Sequence, residues 1–317
     1  MTLSALRPDN KGGGKRALAA ALAELERNPE GEKAQALLDA AWREPHARNV
    51  AHVIGVTGPP GVGKSSLCAA LVAAWRKAGK TVGVIAVDPS SKSSGGALLG
   101  DRVRIVHDST DEGSFVRSMA ARDRLGGLAD QTLAAMVLMR ALFDRVLIET
   151  VGVGQSETDV AGVADTVVFC VQPGSGDSLQ FMKAGIVEIP HLIVVTKADL
   201  GGAAERARAD VAGALSLATA ADEWPVRTLA VSSRNGEGID ELSAALEAHR
   251  AHLSADNRLV VARHRQSEGW IAESLRDRFG REGIARLGRL GFDLSLPAGA
   301  QPFLRLRELG AILGEKR

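Results

Sequence analysis

Tyrosine is missing from the 317 residues, and phenylalanine and tryptophan number only seven and four. Aromatics this sparse argue against a stacking platform for single-stranded nucleic acid. Charge of one sign is lacking as well: 39 Lys and Arg face 38 Asp and Glu, so no overall field draws the chain to a polyanion, and no nucleic-acid partner is expected. Only two cysteines occur, Cys68 and Cys170, in apolar segments far apart. They form no disulfide framework and read as buried free thiols of a protein in reducing cytoplasm. No apolar run approaches the roughly 18 residues of a membrane span, and the N-terminus lacks the basic-then-apolar layout of an export signal, so no membrane partner is expected.

What is present is an ordinary globular composition, 45% hydrophobic and 24% charged, with length for one large α/β domain plus helical additions, or for two domains. The segments Arg16 to Leu25 and Glu32 to Trp42 place Ala and Leu at helical spacing around the break Asn28-Pro29-Glu30-Gly31, which predicts a helical hairpin. A boundary is expected at Pro45 to Asn49, giving an N-terminal helical extension over 1–48. Apolar runs rich in Val and Ile follow at Val50 to Val56, Thr81 to Val87, Arg145 to Glu149, Thr166 to Val171, Leu192 to Thr196 and Val226 to Val231. Runs apolar on both faces, separated mostly by helical stretches, predict a doubly wound, mostly parallel sheet over 49–250, with ligand groups at the carboxyl ends of the strands. From Ala251 onward Trp270, Ile271, Leu275 and Phe279 again fall at helical spacing, followed by helix-like sequence with glycine breaks.

The first of these runs leads into Gly58, Pro59, Pro60, Gly61, Val62, Gly63, Lys64, Ser65 and Ser66. This is the G-x-x-x-x-G-K-[ST] pattern of a phosphate-binding loop. Its backbone N–H groups turn onto phosphate oxygens, Lys64 brings charge to the β and γ phosphates, and Ser65 offers a hydroxyl to Mg²⁺. Phosphate chemistry is largely positioning and charge neutralisation, so carboxylates at the same sheet edge become candidates for organising Mg²⁺ and water. Three stand out: Asp88 at the end of the second run, Asp101 in the glycine-rich stretch Gly95 to Arg102, and Glu149 at the end of the third run. Gly152, three residues after Glu149, can present its N–H to a γ phosphate, and hydrolysis would then release the following loop. Base choice is read from Lys197 and Asp199: a carboxylate accepts both the N1–H and the exocyclic amino protons of guanine, which adenine does not offer, and the Lys197 stem can lie along the purine. The turn Ser232, Ser233, Arg234 can add donors to the guanine oxygen.

Taken together, these stretches resemble the P-loop GTPases of the SIMIBI class, and specifically the methylmalonyl-CoA mutase-associated type, also labelled MeaB or ArgK. The resemblance rests on Gly55 to Ser66, Ala86 to Ser91 with Gly95-Gly96 and Leu99 to Arg102, Glu149 to Glu157, and Pro173 to Asp177 with Leu179-Gln180. It implies a homodimeric GTPase using GTP/GDP and Mg²⁺, chaperoning an adenosylcobalamin-dependent acyl-CoA mutase by gating cofactor loading and protecting the enzyme. It further implies that Lys64 and Ser65 bind phosphate and Mg²⁺, that Asp101 and Glu149 organise the metal, that Asp88 positions water and that Asp199 reads guanine. Pro173 to Lys183 would be a loop through which the partner influences hydrolysis, and 251–317 would supply dimer contacts. The family usually carries Asn where this chain has Thr196.

Three other readings compete. A nickel-delivery GTPase needs clustered His and Cys ligands, whereas the seven histidines are scattered in the sequence. A kinase of the ArgK transport-kinase label needs an acceptor hydroxyl and tolerates ATP, against which Lys197 and Asp199 argue. A nucleotide-gated binding module with negligible turnover fits the lack of an assignable arginine finger or water-orienting glutamine, for which Gln155 is the one candidate.

Overall fold

The structure is a computed structural model that describes residues 2–8, 13–44, 51–88, 110–120, 130–152, 159–174, 189–216 and 224–314. The expected boundary at Pro45 to Asn49, Asp101 with its glycine-rich stretch, and the loops at 153–158 and 175–183 lie outside the described residues.

A short helix α1 (Leu3–Leu6) precedes the hairpin α2 (Gly14–Arg27) and α3 (Glu32–Arg43). Strand β1 (His52–Thr57) and helix α4 (Lys64–Lys77) then flank the phosphate loop, followed by β2 (Val82–Asp88), β3 (Ser114–Ala120), α5 (Asp130–Arg140), β4 (Arg145–Glu149) and β5 (Thr166–Val171). Next come β6 (Leu192–Val195), α6 (Gly202–Leu215), β7 (Arg227–Ala230), α7 (Ile239–Ser254), the long α8 (Arg258–Arg289), which kinks at Gly280, and α9 (Pro302–Gly314). The seven strands form one sheet in the order β3-β2-β4-β1-β5-β6-β7, and every pair is parallel. Strand β3 is the one the sequence reading passed over. It lies at the sheet edge, and the half-buried Arg117 and Ser118 interrupt its apolar face, so it lacks the continuous apolar run that marks a central parallel strand.

Alternation along the strands divides the core between two faces. Val53, Ile85, Val146, Ile148 and Val167 pack beneath α5 and the hairpin. Ile54, Val84, Leu147, Val168 and Val194 pack with Leu67, Leu71, Leu242 and Leu246 of α4 and α7. The hairpin thus buries its apolar stripe (Leu18, Leu22, Leu25, Leu38) in the same core as the sheet, and the bidentate pair of Arg117 on β3 with Glu26 on α2 ties it to the sheet edge. Both cysteines are buried and free, and burial pushes the Cys170 thiol up to about 12.

At the amino ends of the strands the fold gathers residues that the sequence spreads apart. The Asp165 carboxylate accepts two hydrogen bonds from the Arg263 guanidinium, at 2.8 and 2.7 Å, and one from the Val53 N–H at 2.8 Å, while Arg263 also donates to the Ala51 carbonyl. Although burial opposes it, the Arg263 charge holds the Asp165 carboxyl below its ordinary range. Four of the seven histidines also meet at this end of the sheet, contrary to their scattered positions in the chain. Thr166 Oγ1 lies 2.6 Å from His52 Nε2 and 2.7 Å from His249 Nδ1, and the His249 ring packs against those of His191 and His252. Parallel strands begin at a common edge, which brings His52, Thr166 and His191 together, and α7 lays His249 and His252 against that edge. Even so, no group of three or more His, Cys, Asp or Glu among the described residues could hold a metal ion.

This histidine cluster predicts acid sensitivity. Burial lowers His52 to about 3 and His249 to about 2, with Arg145, Arg250 and Arg263 adding to the effect at His52, and His191, His52 and His252 at His249, against the opposing charge of Asp165. A depressed histidine contributes stability in full above its unfolded value, near 6.5, and loses it as the pH falls, because the unfolded chain takes up the protons that the native state refuses. Between pH 6.5 and 5.5 the two together should cost roughly 2 kcal/mol. Urea titrations at those two pH values check this, with His249→Asn expected to remove about half of the difference.

Candidate functional site

Strand β1 lies between β4 and β5, where the strand order reverses, and its carboxyl end opens into the crevice in which doubly wound sheets bind ligands. The loop from Gly58 to Gly63 fills that end. Gly58, Gly61 and Gly63 all have positive φ, at 133°, 75° and 106°. At Gly58 any side chain would also meet a neighbouring strand, because an added Cβ would lie 2.3 Å from the Cys170 carbonyl oxygen. Lys64 opens α4 and turns its amine back into the loop, donating to the Gly58 and Pro59 carbonyls at 2.7 and 3.0 Å. Its charge is thereby held within the loop, beside a helix N-terminus whose partial positive charge also favours an anion.

Two structural elements bring acid and hydroxyl to this loop. Ser65, on the first turn of α4, donates to Glu149 Oε1 at 2.6 Å, and Glu149 ends β4, in register with Val56 of β1. Beyond it the Thr150 hydroxyl donates to Thr57 Oγ1 at 2.8 Å and the Thr150 N–H to the Val56 carbonyl at 3.1 Å, fixing the departure of the chain from β4. Gly152 then passes directly over the phosphate loop at φ 81°. A Cβ here would stand 1.9 Å from the Gly58 oxygen and 2.6 Å from Lys64 Nζ. Gly152→Ala should therefore displace either the loop or Lys64 and weaken binding of a GTP analogue at least about a hundredfold, with little effect on the melting temperature; calorimetry beside a thermal melt checks both.

Asp88 ends β2, two residues beyond Ala86, the partner of Glu149, and is buried at the same edge of the sheet. Asp101 falls outside the described residues.

On the other side of the loop, β6 delivers Thr196 and Lys197. The buried Thr196 hydroxyl lies 2.7 Å from the Val62 carbonyl and 3.0 Å from the Val171 carbonyl. It joins the phosphate loop to the ends of β5 and β6, so threonine supplies a link to the loop at this position. Lys197 is held in a left-handed conformation at φ 56°, and its amine reaches Gln172 and the Gly61 carbonyl across the mouth of the loop. Asp199 accepts a hydrogen bond from the buried Ser232 hydroxyl at 2.7 Å, which leads the interactions holding its carboxyl below the usual range. It is therefore ionised and aimed by a neighbour. Ser233 is half-buried; Arg234 is largely exposed and stands 3.9 Å from Asp199, too far for a direct hydrogen bond. The structure thus assembles the loop, Glu149, Gly152, Lys197, Asp199 and Ser232 around one crevice. Sequence reasoning missed Thr57, Thr150 and Gln172. Each lies just beside a residue it did pick out, but only the three-dimensional pairing gives these positions a role.

Comparison with known proteins agrees with this geometry. The family model described as methylmalonyl-CoA mutase-associated GTPase MeaB matches residues 16–285. A Pyrococcus abyssi protein named as a GTPase is 44% identical over 225 residues, covering 69% of this chain and 68% of its own. The mouse mitochondrial protein named methylmalonic aciduria type A homolog is 38% identical over 251 residues, covering 76% of this chain and 60% of that one. Among solved structures, a protein titled LAO/AO transport system kinase superposes with a TM-score of 0.68 at 30% identity, covering 98% of this chain and 96% of its own. With a P-loop closed by Gly152 and an ionised Asp199 at its rim, this chain belongs to the MeaB family of methylmalonyl-CoA mutase-associated GTPases.

Proposed function

We propose that this GTPase is a nucleotide-dependent chaperone of an adenosylcobalamin-dependent acyl-CoA mutase of the methylmalonyl-CoA mutase type, gating cofactor loading and protecting the enzyme. The observation that carries the switch is the approach of Gly152 to Gly58 and Lys64. A γ phosphate on Lys64 would meet the Gly152 N–H, so its loss would free the segment that follows. The mutase partnership is supported by the family's description and by the mouse relative's name.

In this reading the loop from Gly58 to Ser66 cradles the phosphates of GTP or GDP. Ser65 Oγ and Glu149 Oε1 are hard oxygen donors 2.6 Å apart, a donor set that fits Mg²⁺, with Asp101 as a further candidate. Bound there, Mg²⁺ would neutralise charge on the phosphates. Asp88 orients the attacking water, Lys197 lies along the base, and Asp199, aimed by Ser232, accepts the guanine N1 and N2 protons, with Ser233 and Arg234 at the rim. The exposed Val260, Val261, Leu290 and Phe292 on and beyond α8 suit dimer contacts through the C-terminal helices. A cytoplasmic location fits the two free thiols, and no helix among the described residues is long and apolar enough to cross a membrane.

Single-turnover hydrolysis of GTP and ATP, with and without a purified methylmalonyl-CoA mutase, tests this. Slow GTP turnover that the mutase accelerates by about tenfold or more is expected. Equal use of ATP, or a GTP rate indifferent to the mutase, contradicts it.

A further inference from the structure

Gln172 follows β5 directly, and the register that pairs Val171 with Val195 sets it beside the residues that leave β6. Those residues have their backbone fixed on both sides of Lys197. The Thr196 N–H donates to the Val171 carbonyl at 2.8 Å and the Ala198 N–H to the Val231 carbonyl at 3.1 Å, and between them Lys197 takes φ 56° and ψ 44°. Side chains other than glycine's adopt this left-handed conformation rarely. It determines where the Lys197 side chain leaves the backbone. It does not determine where the four-carbon stem goes, because lysine keeps several rotatable bonds beyond Cβ.

Two acceptors settle that direction. Lys197 Nζ stands 2.5 Å from Gln172 Oε1 and 3.4 Å from the Gly61 carbonyl oxygen. The second contact is longer than an ordinary N–H···O hydrogen bond, whereas the first has the shortness of a charge-assisted one. Gln172 is therefore the main anchor. An ammonium has donors only, so the amide turns its oxygen toward it. Lys197 is exposed, and an exposed lysine gives up much rotamer freedom when a ligand lies on it. A tether at the tip removes part of that cost in advance. The stem is thus stretched between the end of β5 and the phosphate loop by contacts within the protein, two residues from Asp199.

We propose that Gln172 is a positioning residue for the nucleotide base: by tethering the Lys197 ammonium it presets the stem as a wall for the purine face. It thereby raises affinity for purine nucleotides alike, while the choice among them stays with Asp199. This inference rests on the reading in which Lys197 lies along the base. The stem meets the face of a purine, which is nearly the same in guanine and hypoxanthine. Asp199 meets the edge, where hypoxanthine lacks the exocyclic amino group. Loss of the tether therefore costs both bases the same factor.

Calorimetric titrations of the full chain with GDP, IDP and pyrophosphate, each with Mg²⁺, test this. Gln172→Met keeps the length of the side chain and removes the acceptor. It should weaken GDP and IDP by a common factor of about ten, and leave the melting temperature and the binding of pyrophosphate, which has no base, unchanged. Gln172→Glu keeps an acceptor oxygen and should bring GDP affinity back to within about twofold of the original. In a Lys197→Ala background, Gln172→Met should add no further loss. The proposal is overturned, with Lys197 still at the base, if Lys197→Ala weakens GDP but Gln172→Met does not. Weakened pyrophosphate binding, a changed GDP-to-IDP ratio, no rescue by Gln172→Glu, or losses that add in the double variant overturn it equally. GDP affinity indifferent to Lys197→Ala overturns the base reading and the proposal with it.

Discussion

Asp199→Ala is expected to lower GDP affinity by about 10³ to 10⁴ and to erase discrimination between guanine and adenine nucleotides, since a site built to pair with polar edges loses most when that pairing is removed. The effect should be large because the carboxylate is already ionised and aimed: the Ser232 hydroxyl donates to Oδ1 at 2.7 Å and helps hold the acid form off. Asp199→Asn makes a sharper prediction. An amide still accepts the N1–H but presents its own N–H₂ to the exocyclic position, where guanine also has a donor and xanthine has an acceptor. That variant should bind XDP better than GDP. Calorimetric titration with GDP, XDP and ADP reads both outcomes, and a variant that still prefers GDP would remove Asp199 from the base site.

Arg263→Ala should destabilise the fold by about 3 to 5 kcal/mol, since it strands the buried Asp165 carboxylate that Arg263 holds with two hydrogen bonds. For a domain of this size that is a fall of about 10 °C in melting temperature. The cost lies in the uncompensated charge, so Arg263→Met combined with Asp165→Asn should recover much of the loss. This pair fastens α8 to the starts of β1 and β5, at the end of the sheet opposite the nucleotide. GDP affinity measured well below the melting point should therefore be nearly unchanged. A double variant no more stable than Arg263→Ala would show that packing, not charge, dominates here.

These two predictions rest on different kinds of information. The sequence singles out Asp199 as a candidate because Lys197 and Asp199 follow a buried strand downstream of a phosphate loop, a local pattern with its own chemistry, and the structure puts Lys197 against that loop. Glu149 and Gly152 are singled out in the same way, and both lie against the loop. Asp165 and Arg263 were not: they are 98 residues apart, and neither has a distinctive neighbour. The histidine cluster was hidden in the same way, since His52 and Thr166 meet only at the common starting edge of β1 and β5, and His249 reaches them only because α7 packs against that end of the sheet. Six of the seven strands announced themselves as apolar runs rich in Val and Ile. Edge strand β3 carries Arg117, whose guanidinium is spent on Glu26 of the hairpin, and its mixed face concealed it. The hairpin showed its helices through spacing, and of the two surfaces their apolar faces could cover, the following domain or a second copy of the chain, the core shared by Leu22, Leu38 and Met136 shows the first.

The account turns on nucleotide state being read out as mutase binding. The most direct measurement is the affinity of the full chain for a methylmalonyl-CoA mutase when loaded with Mg²⁺ and a non-hydrolysable GTP analogue, and again when loaded with GDP. The account predicts affinities that differ by about fivefold or more, the range of a typical coupling energy, and a difference that disappears in Gly152→Ala at nucleotide concentrations high enough to fill the site. Equal affinity in the two states, or a difference that survives loss of Gly152, would contradict it.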